Sequence, residues 1–261
     1  MVTQAESARG GLDRVEHIMG TAIRIDVRDR ETPPALLEAV FDRLREVDAM
    51  FSTYRPDSQI SRMRRGELAP DAADPDVRWV LERCAELRED TGGYFDPWGL
   101  PGGVDPSGFV KGWSVDRAAA ILEGGGARTF SIDAGGDVIV RGCPPGEDGW
   151  RVGILHPLIR DRVARVIVLT DTAIATSGAY ERGEHVLDPM AGTAARGLLS
   201  VTVVGPELGT ADALATAIFA MGEAGPSWSG WLAGEYSAMS ITTDERVLLT
   251  RAFPPAADPH G

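Results

Sequence analysis

The chain has 261 residues, enough for one large domain or two small ones, and either would bury a substantial core. Charged residues make up 25% and apolar residues 43%, as in a typical globular protein, and 31 Gly with 17 Pro indicate many turns. The formal net charge of −13 repels polyanions over a long range, which argues against nucleic acid as the main ligand. A phosphate-bearing ligand would therefore need local cations.

The first 14 residues are mostly polar, charged or glycine and lack the apolar run of a secretory signal, so we expect a disordered segment over residues 1–14. No stretch approaches the roughly 20 apolar residues of a membrane span, so we expect no direct membrane insertion and a cytoplasmic location. Cys84 and Cys143 have no His or Cys neighbours at zinc-site spacing, so neither a zinc site nor a disulfide is expected.

Periodicity predicts the elements in chain order. Alternating apolar and polar residues predict an opening strand from His17 to Val27, and helical spacing then predicts helices over about 33–50, 74–92 and 108–124. Short β-type runs separated by turn residues follow: Thr129–Asp133, Val138–Arg141, Trp150–Leu155, Val163–Leu169 and Leu198–Val204. A further helix over about 210–221 and a final hairpin, Tyr236–Thr242 with Arg246–Ala252, complete the prediction.

This order of elements predicts the fold class. Strands and helices do not alternate regularly, and no G-x-G-x-x-G follows a strand, so a doubly wound parallel sheet is not favoured. The predicted class is α+β. No linker separates two independent domains, so we predict one domain over residues 15–253, with Gly124–Gly126 as a candidate joint between two halves, and a disordered tail over residues 254–261.

Several loop-like clusters concentrate Gly, Ser, Thr, Asp and Tyr where a core would not want them, which is typical of functional segments. They are Phe51–Ser58, Phe95–Pro97 with Val104–Gly112, Asp133–Asp137, Thr176–Gly178 with His185–Pro189, and Ala211–Thr216.

Asp212 and Thr216 are the best metal candidates from the residues alone. Four residues apart on a predicted helix, they project from the same face, where both oxygens could hold one hard cation. The alternative is structural: Asp212 favours the helix dipole and Thr216 bonds back to the helix.

The other candidates are also ambiguous. Lys111 is predicted near a helix start, where its ammonium and backbone N–H groups could meet phosphate, or it is a solvated surface lysine. The Gly-Gly of Asp133–Asp137 permits close approach of a ligand, yet a tight turn needs it as well. His185 beside Asp188 suits a general base or a structural histidine. Tyr54 could stack on a planar ring, or it belongs to a generic β-turn.

Taken together and in this order, the clusters resemble the ApbE-type flavin transferase family, the FAD:protein FMN transferases. The segments that carry the resemblance span residues 19 to about 222: Met19–Thr21, Phe51–Ser58, Phe95–Pro97, Val104–Gly112, Asp133–Asp137, Trp150–Ile154, Thr176–Gly178, His185–Pro189 with Gly192, and Ala211–Thr216. The chain departs from the family pattern in its short insert, Trp98–Gly103, and in Pro106-Ser107, which replace Leu-Gly.

The resemblance implies two sheet-and-helix halves with FAD in the cleft between them and Mg²⁺ on its pyrophosphate. The implied metal ligands are Asp212, Thr216 and the backbone carbonyl of Gly108. The implied catalytic residues are His185 and Lys111. The implied FAD contacts are Met19, Tyr54, Tyr94, Phe95, Asp96, Asp105, Lys111 and Val201.

The resemblance also implies the reaction. A Thr or Ser hydroxyl of an acceptor protein, in an S-G-A-T-like segment, attacks the FMN phosphorus of FAD and AMP leaves. Two alternatives stay open: water attacks instead, which makes the chain an FAD pyrophosphatase, or the chain binds flavin without turnover.

Overall fold

The computed structural model describes residues 5–6, 11–99, 102–159, 162–178, 187–230, 232 and 235–257. Across these residues the main feature is a nine-stranded antiparallel sheet, in the order β1-β2-β3-β4-β5-β8-β11-β12-β13. Its strands are β1 (Ala5–Glu6), β2 (Leu12–Ile18), β3 (Thr21–Val27), β4 (Phe130–Ala134), β5 (Asp137–Arg141), β8 (Thr172–Gly178), β11 (Leu198–Gly205), β12 (Ser237–Thr242) and β13 (Val247–Leu249). Two separate antiparallel pairs are β6 (Trp150–Leu155) with β7 (Val163–Leu169), and β9 (Leu187–Asp188) with β10 (Thr193–Ala194).

Among the described residues, the α-helices comprise the four that the periodicity predicts and two short ones that it does not predict. They are α1 (Pro34–Phe51), α2 (Gln59–Arg64), α3 (Pro75–Asp90), α4 (Ser107–Gly124), α5 (Leu208–Ala220) and α6 (Gly225–Ser229). Leu37, Phe41 and Leu44 of α1 recur on one face and are buried, as the sequence pattern predicts for an amphipathic helix. By contrast, nearly every residue of α5 is buried, so this helix lies inside the protein.

The two faces of the sheet carry different cores because successive strand residues point to opposite sides. On one face, side chains such as Ala173 and Ala175 pack with those of α1, α4 and α5 in the main core. On the other face, Ile174 packs in a separate cluster with Trp150 and Ile154 of the β6–β7 hairpin. A third cluster, named here the α3–α4 cluster, packs residues of α3 against residues of α1 and α4.

The α+β class is confirmed. Strands from before and after the predicted joint, Gly124–Gly126, belong to one continuous sheet. The helices over 33–50, 74–92, 108–124 and 210–221 are present with small shifts at their ends. The opening strand differs: it is a hairpin of β2 and β3 whose turn is Met19-Gly20. The segment Thr176–Gly178, expected as a loop, is the end of β8 in the middle of the sheet, and α2 was not predicted.

Both expected disordered segments overlap ordered structure. Strand β2 begins at Leu12, within the 1–14 segment, because it pairs along its whole length with β3. In the 254–261 tail, the Ala257 N–H donates to the Val166 carbonyl at 2.7 Å, and the Pro254 carbonyl accepts from Arg165. No helix among the described residues is long and apolar enough to cross a membrane.

Candidate functional site

Helices α4 and α5 cross in close contact, which two glycines allow. A Cβ at Gly112 would lie 2.6 Å from the carbonyl carbon of Leu208, and one at Gly209 would lie 2.9 Å from the backbone N of Trp113. Asp116 accepts the N–H groups of Leu208 and Gly209 at 2.8 and 2.9 Å, and so caps the first turn of α5. Burial raises the pKa of the Asp116 carboxyl to about 6, although these two N–H groups oppose the rise. The two helices are therefore held in one relative position.

A charged group lies between these helices and the sheet. Lys111 of α4 places Nζ 2.5 Å from Oδ2 of Asp137 on β5 and 3.8 Å from Oδ2 of Asp212 on α5. Asp137 is almost completely buried, at 1% exposure, and its Oδ1 accepts the backbone N–H of Thr176 at 3.0 Å. An ammonium between two carboxylates reduces the cost of burying each charge. The arrangement fixes the Lys111 ammonium at the end of the sheet.

Two hydroxyl groups and the first turn of α4 lie close to this charged group. The Oγ1 of Thr216 lies 3.2 Å from the Oγ of Ser177, the residue after Thr176 on β8. A Cβ at Gly108 would lie 3.8 Å from Thr216 Oγ1 and 3.4 Å from the ring of Phe95, so the first turn of α4 is close to Thr216. The structure thus brings Gly108, Thr216 and Ser177 together.

These residues suit a hard cation. Asp212 and Thr216 lie one helical turn apart on α5, and a carboxylate, a hydroxyl and a backbone carbonyl are the oxygen donors that Mg²⁺ prefers. Within the described ranges, no three His, Cys, Asp or Glu side chains come together as a metal site. A cation here would therefore take further ligands from a phosphate or from water, as Mg²⁺ commonly does.

Two tight turns stand at the same end of the sheet. Met19-Gly20 joins β2 to β3 with positive φ at both residues, 54° and 73°, and Gly135-Gly136 joins β4 to β5 with 67° and 98°. The two turns touch, because a Cβ at Gly135 would lie 2.3 Å from Thr21 Oγ1. A left-handed conformation is uncommon for Met and typical of strained functional sites. The Oγ of Ser114 lies 3.8 Å from the Met19 sulfur, within the range of a weak hydrogen bond to sulfur.

The loop before α4 presents a further carboxylate, that of Asp105. Asp105 Oδ2 accepts from Arg64 of α2 at 3.1 Å, and Arg64 also donates to the Val104 carbonyl at 2.8 Å. Asp105 Oδ1 accepts the Ser107 N–H at 3.0 Å, which satisfies a donor in the first turn of α4. Asp105 is thus held in place from both sides.

The loop after α3 has a buried centre and half-buried flanks. Phe95 is 3% exposed and packs in the α3–α4 cluster, with Tyr94 partly buried against it. Asp96 accepts from Arg88 Nε at 3.1 Å and from the Trp98 N–H at 3.0 Å. Tyr94 and Asp96 therefore border the protein surface, while Phe95 anchors the loop.

Comparison with known proteins identifies the family. The ApbE family model matches residues 19–101 and 99–239, most of the chain. The chain belongs to the ApbE family. It is 29% identical over 246 residues to the FAD:protein FMN transferase of Vibrio cholerae, covering 72% of this chain and 74% of that protein.

Solved structures of ApbE proteins share the fold. The ApbE protein of Thermotoga maritima superposes with a TM-score of 0.81 and 25% identity, over 93% of this chain and 98% of that one. The flavin transferase ApbE of Vibrio cholerae superposes with a TM-score of 0.80 and 24% identity, over 98% and 100% of the two chains. The same overall architecture therefore extends over nearly the whole chain.

Two residues expected from the ApbE resemblance, Tyr54 and Val201, stand apart from this group. Tyr54 follows α1 and is 96% exposed, so its ring has no packing of its own. The Val201 side chain is completely buried in the main core, so the structure gives no support for a ligand contact by that side chain. His185 lies outside the described residues.

The sequence reasoning missed three residues that the ApbE fold brings to the site. Asp137 was only part of a Gly-rich cluster and stood one residue before the predicted strand Val138–Arg141. In the structure it belongs to that strand and points to the same side as the buried Ile139, where a carboxylate needs a partner. Ser177 was assigned to a loop. Arg64 gave no signal, because its contact with Asp105 depends on α2.

Proposed function

We propose that this chain transfers FMN from FAD to a Thr or Ser hydroxyl of a target protein and releases AMP. Membership of the ApbE family and the FAD:protein FMN transferase relatives support this activity. The single observation that carries the proposal is the grouping of Lys111, Asp137, Asp212 and Thr216 at one end of the sheet. Such a group combines a fixed cation with oxygen ligands for a metal beside phosphates.

Mg²⁺ belongs to the proposal as the partner of the pyrophosphate. Asp212, Thr216 and the Gly108 carbonyl would hold it, and the bound ion would neutralise charge that develops on the phosphates. The need is physical: the net charge of −13 repels a pyrophosphate, and only a local cation reverses this.

Lys111 supplies the second positive charge. Its ion pair with Asp137 holds Nζ in place before any nucleotide arrives, and such preorganisation is what makes an electrostatic contact effective in catalysis. Its distance of 3.8 Å from Asp212 keeps the ammonium next to the proposed metal position. Lys111 therefore acts on the same phosphates as the ion.

The remaining proposed contacts position the nucleotide. Tyr94 and Asp96 after α3, Asp105 before α4 and Met19 in the β2–β3 turn border the helix side of the site. Tyr54, exposed and unpacked, is available to stack on a base. The buried Phe95 supports its neighbours Tyr94 and Asp96 from inside the core.

His185 is proposed as the general base. It would take the proton of the acceptor hydroxyl while the hydroxyl oxygen bonds to the FMN phosphorus and the bond from phosphorus to the AMP oxygen breaks. The products are a phosphoester-linked flavin on the acceptor and free AMP. The cytoplasmic location of this reaction stays a prediction.

One experiment tests the proposal directly. The protein is incubated with FAD, Mg²⁺ and a peptide containing Ser-Gly-Ala-Thr, and intact mass and AMP are measured. A gain of one FMN on the peptide with equal AMP is expected. AMP without labelled peptide would instead indicate an FAD pyrophosphatase, and neither product would indicate a flavin-binding protein.

The metal assignment has its own variant. Asp212→Ala removes the only carboxylate of the proposed ligand set, and we expect it to abolish metal-dependent AMP release, a loss of about 10³-fold or more. Asp148→Ala removes an exposed carboxylate outside the proposed ligand set and should leave the rate unchanged. Retention of activity in Asp212→Ala would disprove the ligand assignment.

A further inference from the structure

A groove lies on the hairpin side of the sheet, opposite the helices. Its volume is about 570 Å³. One wall is the sheet surface, with Arg24, Ser131, Val138 and Ile174, and the other wall is strand β6. The groove is thus separate from the helix side, where the proposed nucleotide contacts lie.

Strand β6 meets the groove with its edge. All of its residues, Trp150–Leu155, line the groove, although their side chains alternate between buried and more exposed positions. Since alternate side chains of a strand point to opposite faces, an uninterrupted lining means that the backbone edge faces the groove. Among the described residues, β6 pairs only with β7.

The other edge of the hairpin is already covered. Beyond β7, the segment after Phe253 runs alongside, with the Ala257 N–H bonded to the Val166 carbonyl and the Pro254 carbonyl bonded to Arg165. An edge strand offers a row of N–H and C=O groups that another extended segment can pair with. In the described part of the hairpin, that opportunity lies at β6.

One end of the groove adjoins the candidate functional site, with residues of the sheet between them. Thr176 lines the groove, and its backbone N–H donates to Asp137, which holds Lys111. The turn residues Gly135 and Gly136 also line the groove, and with no side chains they form a low rim between the two faces. A chain lying in the groove would therefore reach the end of the sheet where Lys111 stands.

We propose that this groove binds the acceptor protein, as an extended segment added to the β6 edge, with the reactive hydroxyl passing over the Gly135-Gly136 turn. The inference rests on the proposed transferase function and adds where its protein substrate binds. Pairing of backbone groups would give affinity for an extended polypeptide. The apolar Val138 and Ile174 and the charged Arg24, Asp26 and Asp133 on the sheet wall set which side chains fit.

Hydrogen exchange on the wild-type protein tests the contact. The probe is a peptide of about ten residues containing Ser-Gly-Ala-Thr, a length typical of a strand. On adding the peptide, the amides of Gly153 and Leu155, which alternate with those that face β7, should exchange about tenfold more slowly, because new backbone hydrogen bonds protect them. Unchanged exchange across β6 at a saturating concentration of peptide would overturn the proposal.

A substitution separates acceptor binding from nucleotide chemistry. Ser131→Trp fills the groove from β4, and we expect the KM for the peptide to rise about tenfold or more while AMP release from FAD without peptide changes less than about twofold. Ala164→Trp places the same ring at an exposed position of β7 that does not line the groove, and should change neither value.

The possible results are distinguishable. An unchanged KM for the peptide in Ser131→Trp overturns acceptor binding in the groove. If AMP release from FAD without peptide falls as much as labelling of the peptide does, the groove binds the nucleotide instead, and the proposal is also overturned. If the wild-type protein itself neither labels the peptide nor releases AMP, the proposed function fails instead. The exchange experiment on wild-type protein decides the matter if Ser131→Trp does not fold.

Discussion

Helices α1, α4 and α5 cover one face of the central sheet closely, whereas the β6–β7 hairpin covers the other face only in part and leaves a groove. On the helix side, Gly112 and Gly209 let backbones touch, and Asp137 is 1% exposed. On the hairpin side, Ser131 lines open space. The same strands therefore border a tightly packed layer on one face and an open groove on the other.

This difference matches the two tasks of the proposed reaction. Charges that act on phosphates are most effective where they are already held in place, and the ion pair with Asp137 holds Lys111 in this way. A flexible protein substrate needs an accessible edge instead, which β6 offers. Thr176 connects the two, with its backbone on Asp137 and its side chain towards the groove.

The largest expected effect comes from removing the cation on the packed side. Lys111→Met leaves the carboxylates of Asp137 and Asp212 buried without the ammonium, which should lower the free energy of unfolding by about 3–5 kcal/mol. Urea unfolding at pH 7 without nucleotide measures this. Lys111→Arg keeps the charge, so its free energy of unfolding should fall much less. A Met variant within about 1 kcal/mol of wild type would show that the pair is not structurally important.

Much of the fold was predictable because most strands carry a strong local pattern. β6 and β7 have the predicted bounds, since apolar residues alternate along most of β6, β7 is rich in Val and Ile, and turn residues end both strands. β8 was missed because Thr172–Gly178 contains mainly small and hydroxyl-bearing residues. These residues are needed where they are: Ala173 and Ala175 let α5 approach, an effect of tertiary packing that the local sequence does not carry.

The site was predictable in part for the same reason. Asp212 and Thr216 are close in sequence, so helical periodicity places them on one face without further knowledge. The contact of Lys111 with Asp137 joins a helix to a strand far along the chain, and only the packing of α4 against the sheet creates it. Local patterns therefore identified Asp212, Thr216 and Lys111 as candidates but not Asp137 as the partner of Lys111.

The second prediction concerns the cap that joins α4 to α5. Burial raises the pKa of Asp116 to about 6, so between pH 4 and 6 the folded state binds its proton more tightly than the unfolded state. Stability from this group therefore falls as pH rises through that window, by up to about 3 kcal/mol, and is constant above it.

Asp116→Asn removes this titration. The free energy of unfolding of the variant, relative to wild type, should therefore improve by up to about 3 kcal/mol from pH 4 to pH 7, measured by urea unfolding at each pH. Asn accepts only one of the two N–H groups of Leu208 and Gly209, which costs about 1 kcal/mol at every pH. If the free energies of unfolding of the two proteins changed in parallel with pH, a raised pKa of Asp116 would be contradicted.

A glycine on each face gives the third prediction. Gly112→Ala puts a methyl group 2.6 Å from the Leu208 backbone, so α4 and α5 must separate, and we expect a loss of about 1–3 kcal/mol. Gly124→Ala, at the end of the same helix, meets nothing within 4 Å and should be neutral or slightly stabilising. Thermal unfolding compares the two variants.

The same change on the hairpin side should have the smallest effect. Gly153 lies in the middle of β6, where a new Cβ would meet only the side chain of Val163, at 3.4 Å. Because that side chain is exposed and can adjust, Gly153→Ala should shift the free energy of unfolding by no more than about 0.5–1 kcal/mol, with a gain expected from the loss of glycine entropy. A cost equal to that of Gly112→Ala would mean that β6 is packed as tightly as the helices, and the groove would then be too rigid to admit a strand.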